Sequence, residues 1–142
     1  MRDRKLNILL VEDDEIDVMN VQRAFRKNNI TNPLFIATSG IEGLEILRGE
    51  GSVPPMPAER RIVLLDLNMP RMNGIEFLKE LRADEELKNT TVIVLTTSDN
   101  EKDRVEAYKF NIAGYIVKPV TMPSFVEAMA TLNKYWTVSE LP

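Results

Sequence analysis

The chain has 142 residues with no cysteine and no histidine, long enough to bury about two thirds of the surface its unfolded form exposes and to fold as one domain without a covalent staple. Those two absences exclude disulfides, thiolate nucleophiles, cysteine or histidine zinc sites, a Ser-His-Asp triad and a histidine proton shuttle. A formal charge of −4, with no basic run beyond residues 2–5, argues against a nucleic-acid surface; with neither a signal peptide nor an apolar stretch of membrane-spanning length, a soluble cytoplasmic protein is expected.

Residues 6–11 (LNILLV) read as a first strand that stops at Glu12, Asp13 and Asp14. A helix follows over Glu15–Lys27, with Val18, Val21 and Phe25 at helical spacing and Arg23 and Lys27 on the other side. Asp14 suits the opening of that helix, where a carboxylate meets the positive end of the backbone dipoles, and Asn28 and Asn29 end it. A short strand, Leu34–Ala37, leads to Ser39, whose hydroxyl can cap a second helix while Glu42 reaches back in a capping-box pattern; Ile41, Leu44 and Leu47 are expected to face inward. Residues 49–60 hold two glycines and three prolines with little periodicity, and read as an exposed loop, either a contact surface or a tolerated insertion.

Residues 62–65 (IVLL) are four consecutive branched apolar residues, apolar on both faces, as in a central parallel strand covered by helices on each side. The run ends abruptly in a charge, Asp66. Asn73 and Gly74 open a third helix whose buried face is Gly74, Phe77, Leu78 and Leu81. Residues 91–95 (TVIVL) form a fourth strand ending in Thr96 and Thr97. Ser98 and Glu101 make a second capping-box pattern, starting a helix that buries Val105 and Tyr108 and runs to about Phe110. The fifth strand, Gly114–Val117, ends at Lys118 and Pro119, and a last helix from about Pro123 aligns Phe125, Met129, Leu132 and Trp136 in one stripe.

Five strands alternating with five helices imply an α/β fold: a doubly wound, flavodoxin-like three-layer sandwich around a five-stranded parallel sheet of order 2-1-3-4-5, in right-handed βαβ units. No repeat or second domain is evident, so the whole chain reads as one domain without an output domain. Ligands of such sheets bind at the carboxyl ends of the strands, and here those ends carry Glu12, Asp13 and Asp14, then Asp66, then Thr96 and Thr97, then Lys118. Bringing Asp13 and Asp66 together sets like charges against each other, which invites a hard divalent cation and a lysine. Magnesium fits, since it takes one or two carboxylates, keeps several waters and accepts phosphoryl oxygens.

These four segments in order, LLVEDD at 9–14, LDLNMP at 65–70 followed by Asn73-Gly74, LTT at 95–97 and Lys118-Pro119, resemble the receiver domain of two-component response regulators over nearly the entire chain. Among receivers the chain looks most like the single-domain kind that serves phytochrome-type histidine kinases. The resemblance implies that Asp66 is the phosphoacceptor, attacking a phosphoryl group on a partner kinase's histidine, and that the protein is a signalling switch rather than a turnover enzyme. It also implies that Glu12 and Asp13 form the acidic pair, Asp13 binding Mg2+ directly and Glu12 through water, with Asp66 and the backbone carbonyl of Asn68 completing the site. Lys118 would pair with Asp66 and then with the phosphoryl oxygens, Thr96 would donate its hydroxyl to the phosphoryl group, and Tyr115 would be the aromatic switch that turns inward when Thr96 moves. A cis bond is implied at Lys118-Pro119.

Two positions depart from the common receiver pattern: Glu12 stands where many receivers have aspartate, and Thr97 where a smaller residue is frequent, narrowing access to Asp66. Neither Asn68 nor Ser98 is a strong base, so the acyl phosphate is expected to last for minutes or longer. The fourth helix, fifth strand and fifth helix, with the distal end around Tyr135 and Trp136, are expected to form a homodimer or partner face. Competing readings are a haloacid-dehalogenase-type phosphatase, disfavoured because its general acid would have to be Asn68; a calcium loop at Asp13, Glu15 and Asp17, which lacks the turn glycine; and a non-phosphorylated adaptor.

Overall fold

A computed structural model of the chain describes residues 6–50, 56–119 and 121–139. Five strands alternate with five helices: β1 (Asn7–Val11), α1 (Glu15–Lys27), β2 (Leu34–Ala37), α2 (Gly40–Arg48), β3 (Arg61–Leu65), α3 (Gly74–Ala83), β4 (Thr91–Thr96), α4 (Glu101–Tyr108), β5 (Gly114–Val117) and α5 (Met122–Val138). All strand pairs are parallel and the order is β2-β1-β3-β4-β5, as expected for the doubly wound sandwich. Strand order reverses beside β1 and β3. Asp66 and the acids after β1 therefore flank the point where backbones diverge and a crevice opens.

Side chains that alternate along each strand feed two cores. Leu9, Val11, Val63, Leu65, Val92 and Val94 meet Leu44, Leu47, Phe77, Leu78 and Leu81 from α2 and α3. Ile8, Leu10, Ile62, Leu64, Ile93 and Leu95 meet Val21, Phe25, Phe125, Met129, Leu132 and Trp136 from α1 and α5. Burial on both faces is what the uninterrupted apolar runs of β1, β3 and β4 encode, and it holds the strand ends in a fixed plane.

Local signals explain most of the helix starts. Asp14 caps α1, accepting from the backbone N–H groups of Ile16 and Asp17, in keeping with a helix-opening acid. Ser39 caps α2 by accepting from Glu42 N–H (3.1 Å), but Glu42 returns the bond to Thr38 N–H (2.8 Å), one residue further back than a capping box requires. The reciprocal box lies instead at α3, between Asn73 and Glu76. The expected box at Ser98 and Glu101 does not form. Asn100 caps α4 through Lys102 N–H, and the Ser98 hydroxyl donates to Asp103 (2.7 Å), because asparagine competes equally with serine for a cap and sits two residues nearer the helix.

Four side chains expected in the core or on an exposed end lie elsewhere. Ile41 is 48 % exposed, because the face α2 buries is made of Gly40, Gly43, Leu44, Ile46 and Leu47 and Ile41 falls outside it; a Cβ on Gly43 would lie 3.1 Å from the Phe77 ring. Val105 and Tyr108 are exposed as well, since α4 buries only its Ala107 and ends at Tyr108 rather than Phe110. Trp136, expected as an aromatic at a partner face, is instead core: it packs edge-on against Phe25 with ring centroids 6.2 Å apart, and its indole N–H donates to Asn133. Residues 51–55 of the proline-containing loop lie outside the described residues; beside them Gly49 and Glu50 are exposed, while Met56 packs into the core.

Arg82 on α3 ties two loops together. Its guanidinium donates to the carbonyls of Lys88 (2.8 Å) and Thr90 (2.7 Å) before β4, and to those of Phe110 (2.6 Å) and Asn111 (3.2 Å) after α4.

Candidate functional site

The four strand ends meet along one edge of the sheet. Backbone bonds fix them there: Glu12 N–H donates to Ala37 carbonyl, Asp66 N–H to Val11 carbonyl and Lys118 N–H to Thr96 carbonyl, so each residue that follows a strand is still tied to its neighbour. Gly74 approaches so closely that a Cβ there would lie 2.7 Å from the Asp66 carbonyl oxygen, which is why the turn after Asp66 takes glycine.

Glu12, Asp13 and Asp66 each offer a carboxylate oxygen, and these oxygens all lie within 4.8 Å of one another. Glu12 and Asp66 are buried and Asp13 is exposed, so a cation held there keeps one side open to water. Three hard anionic donors so close together suit a divalent ion such as Mg2+ or Mn2+, and carry a repulsive cost without one. That cost appears at Glu12, whose carboxyl is raised to about 7: burial is the largest cause, the bond from Lys118 works against it, and the charge of Asp66 adds to the rise. The Glu12 oxygens are already engaged, one by Lys118 and one by the backbone N–H of Asp14 at 3.2 Å, which favours a water-mediated rather than direct contact with a cation.

Lys118 enters the crevice as expected, but its partners differ from the expected one. The ammonium donates to Glu12 and to Asp17 (2.9 Å), and no ion pair joins it to Asp66 among the described residues. Burial works to lower the Lys118 pKa, yet the bonds to Glu12 and Asp17 and the charge of Asp66 outweigh it, holding the group above its ordinary value. Asp17 was not anticipated in this role. The available signal was its place in the first turn of the helix that follows the acidic run, three residues after Asp14. A calcium loop across Asp13, Glu15 and Asp17 is ruled out by the helix that begins at Glu15.

On the far side of Asp66, Asn68 N–H donates to its Oδ1 (3.3 Å), while the Asn68 amide reaches the hydroxyl of Thr97 (3.4 Å). Thr97 is exposed. Thr96 is fully buried, and its hydroxyl oxygen accepts from Ser98 N–H (3.3 Å). Tyr115, half-buried, donates its hydroxyl to the carbonyl of the same Ser98 (2.9 Å), so the two residues expected to act as a switch converge on one loop residue. No peptide bond is cis among the described residues, so Lys118–Pro119 is trans where the resemblance implied cis.

Comparison with known proteins gives the family and agrees with the fold. Residues 8–130 match the family model described as the response regulator receiver domain. Response regulator Rcp1 of Synechocystis sp. is 32 % identical over 129 residues, covering 91 % of this chain and 87 % of that protein. The crystal structure of the Mn(2+)-bound form of Rcp1 is similar with a TM-score of 0.84 at 32 % identity, covering 98 % of this chain and 99 % of the other. That of the phosphorylated cyanobacterial phytochrome response regulator RcpA has a TM-score of 0.84 at 30 % identity and the same coverage. The fold and the match over residues 8–130 are thus those of the response regulator receiver domains, regulators that are phosphorylated by histidine kinases, and this chain belongs to that family.

Proposed function

We propose that Asp66 is the phosphoacceptor of this receiver and that Mg2+ is its cofactor, held by the carboxylates of Asp13 and Asp66 and the backbone carbonyl of Asn68, with Glu12 outside through water. The convergence of three carboxylates within 4.8 Å beside a buried lysine is the observation that carries this reading. An Asp66 oxygen attacks the phosphorus of a phosphohistidine, the P–N bond to the imidazole breaks, and an acyl phosphate results. When bound, Mg2+ held by these residues would supply positive charge against the negative charge of the phosphoryl group. Lys118 adds a second cation, and Thr96 offers a hydroxyl donor, so the chain contributes position and electrostatics to a loose, charge-rich transition state. Asn68 and Ser98 give no strong base to the water that would hydrolyse the product, and the Ser98 hydroxyl is already committed to Asp103. Thr96 and Tyr115, joined through Ser98, would relay the change by shifting the loop before α4.

The test is transfer from an autophosphorylated, radiolabelled histidine kinase. With Mg2+ present, label moves to this chain and decays over minutes; with the ion chelated by EDTA, transfer falls at least about a hundredfold, because the charge it neutralises is left to the protein. Equal transfer in EDTA would overturn the metal assignment, and decay within seconds would overturn the lifetime. The likeness to RcpA, a phytochrome response regulator, over 98 % of the chain supports a phytochrome-type kinase as donor.

A partner face is also proposed on α4, β5 and α5, where Val105 (50 %), Tyr108 (47 %), Val117 (42 %) and Tyr135 (39 %) are exposed. Large apolar side chains grouped on neighbouring elements are what a self-complementary interface covers. Sedimentation of the phosphorylated chain should show a dimer that Tyr108→Glu disperses. A monomer at all concentrations, with and without phosphoryl, would remove this part of the proposal.

A further inference from the structure

Among the described residues Lys118 has two carboxylate partners, of which Glu12 belongs to the acidic cluster and Asp17 does not. Glu12 is 1 % exposed, carries a second bond from Asp14 N–H, and faces Asp66. Asp17 stands apart on the first turn of α1, outside the cluster, with its side chain 26 % exposed. An ammonium has three N–H bonds. Two are directed at Glu12 and Asp17, and among the described residues no ion pair reaches Asp66.

We propose that Asp17 is a positioning residue that holds Lys118 back from Asp66 and yields it when a phosphoryl group arrives. The proposal rests on Asp66 being the acceptor. The two bonds differ in what it costs to break them. Releasing Glu12 leaves a buried carboxylate without its cation, whereas releasing Asp17 exposes a carboxylate that water can solvate. A phosphoryl group on Asp66 brings new negative charge to the crevice, and the ammonium can follow it by giving up the solvated partner while keeping the buried one. Asp17 is therefore the bond that competes with the reaction, and its carboxylate returns to water as the lysine leaves. This exchange also gives α1 a direct report of the phosphorylation state, separate from the route through Thr96 and Tyr115.

Phosphorylation by acetyl phosphate in Mg2+ tests the idea without a kinase surface. An Asp66 oxygen attacks phosphorus, the bond from phosphorus to the acyl oxygen breaks, and acetate departs with the electron pair; no proton needs to move. The second-order rate constant is measured for the wild type, Asp17→Asn and Asp17→Ala, and for each of them with Lys118→Met, with folding checked by circular dichroism. Asp17→Asn keeps the shape and removes the charge. It and Asp17→Ala should react about 3- to 10-fold faster than the wild type, the gain that corresponds to losing one partly exposed, charge-assisted bond. The gain should vanish in the Lys118→Met background. A purely structural ion pair would lower the melting temperature and leave the rate unchanged or reduced. Either that result or an acceleration that survives Lys118→Met overturns the proposal. Asp66→Asn separates the two layers: if it still takes up phosphoryl, the acceptor assignment fails, whereas if only Asp66 carries it and the Asp17 variants match the wild type, the positioning role alone fails.

Discussion

Asparagine in place of Asp66 leaves a chain that folds normally and takes up no phosphoryl group. The substitution is close to isosteric, so the packing around a side chain that is 5 % exposed is kept, as is a side-chain oxygen able to accept from Asn68 N–H. What disappears is the anionic oxygen. A neutral carboxamide oxygen is a poor nucleophile toward phosphorus and forms no stable acyl phosphate. Stability should move in the opposite direction from activity. Asp66 is one of three carboxylates packed within 4.8 Å, and its charge contributes to raising Glu12, so neutralising it relieves like-charge repulsion when no cation is bound. The variant should melt at the same temperature as the wild type or higher in EDTA, while phosphotransfer from a cognate kinase drops below detection. Uptake of label by the variant, stable in acid gels in the manner of an ester elsewhere on the chain, would place the acceptor at another residue.

The largest loss of stability from a single surface-facing change is expected at Arg82. Alanine there removes the donor to four backbone carbonyls, two in the segment before β4 and two in the turn after α4. Burial lowers the pKa of this guanidinium, but by its nature it stays charged, so all four bonds are charge-assisted at neutral pH. The sum of four such bonds would overstate the effect, because the side chain is only half-buried and water can reach some of the orphaned carbonyls. Roughly 2 to 3 kcal/mol is a reasonable expectation for the net loss in urea unfolding. Lysine should recover little of it, since one ammonium on a flexible stem cannot span carbonyls on two loops. A loss below about 0.5 kcal/mol, the range of ordinary surface substitutions, would show that the two loops hold their positions without the arginine. One of these loops leads into β4, the strand that ends at Thr96, and the other into β5, the strand before Lys118, so chemistry at one end of the sheet and anchoring at the other share strands.

How far the sequence could be read depended on the range of the interaction. Periodicity placed all five strands and all five helices because an element buried on one or both faces must repeat its apolar residues at the matching interval. It failed where packing used something other than bulk. In α2 part of the buried face is Gly40 and Gly43, which carry no apolar signal, beside Leu44, Ile46 and Leu47, so Ile41 looked like core and is exposed. In α4 a lone alanine makes the contact, and Val105 and Tyr108 were left for solvent. Capping went astray for a related reason: Ser98 and Asn100 are both good caps, and only the loop geometry that sends the Ser98 hydroxyl to Asp103 chooses between them.

The sequence alone settled the parallel sheet, the order in which chemistry-bearing residues follow its strands, and the absence of any histidine or cysteine that could replace an aspartate as acceptor. Those features are local or compositional, and one chain segment is enough to state each of them. Which partner Lys118 takes, which loop residue joins Thr96 to Tyr115 and which carbonyls Arg82 gathers were decided only in the folded chain. The deciding bonds link different elements, and some join segments far apart in sequence: Lys118 and Asp17 are separated by 101 residues, Arg82 and Phe110 by 28. A charged group buried in a crevice bonds to whatever acid the fold carries to within about 3 Å, and no pattern along the chain records that distance.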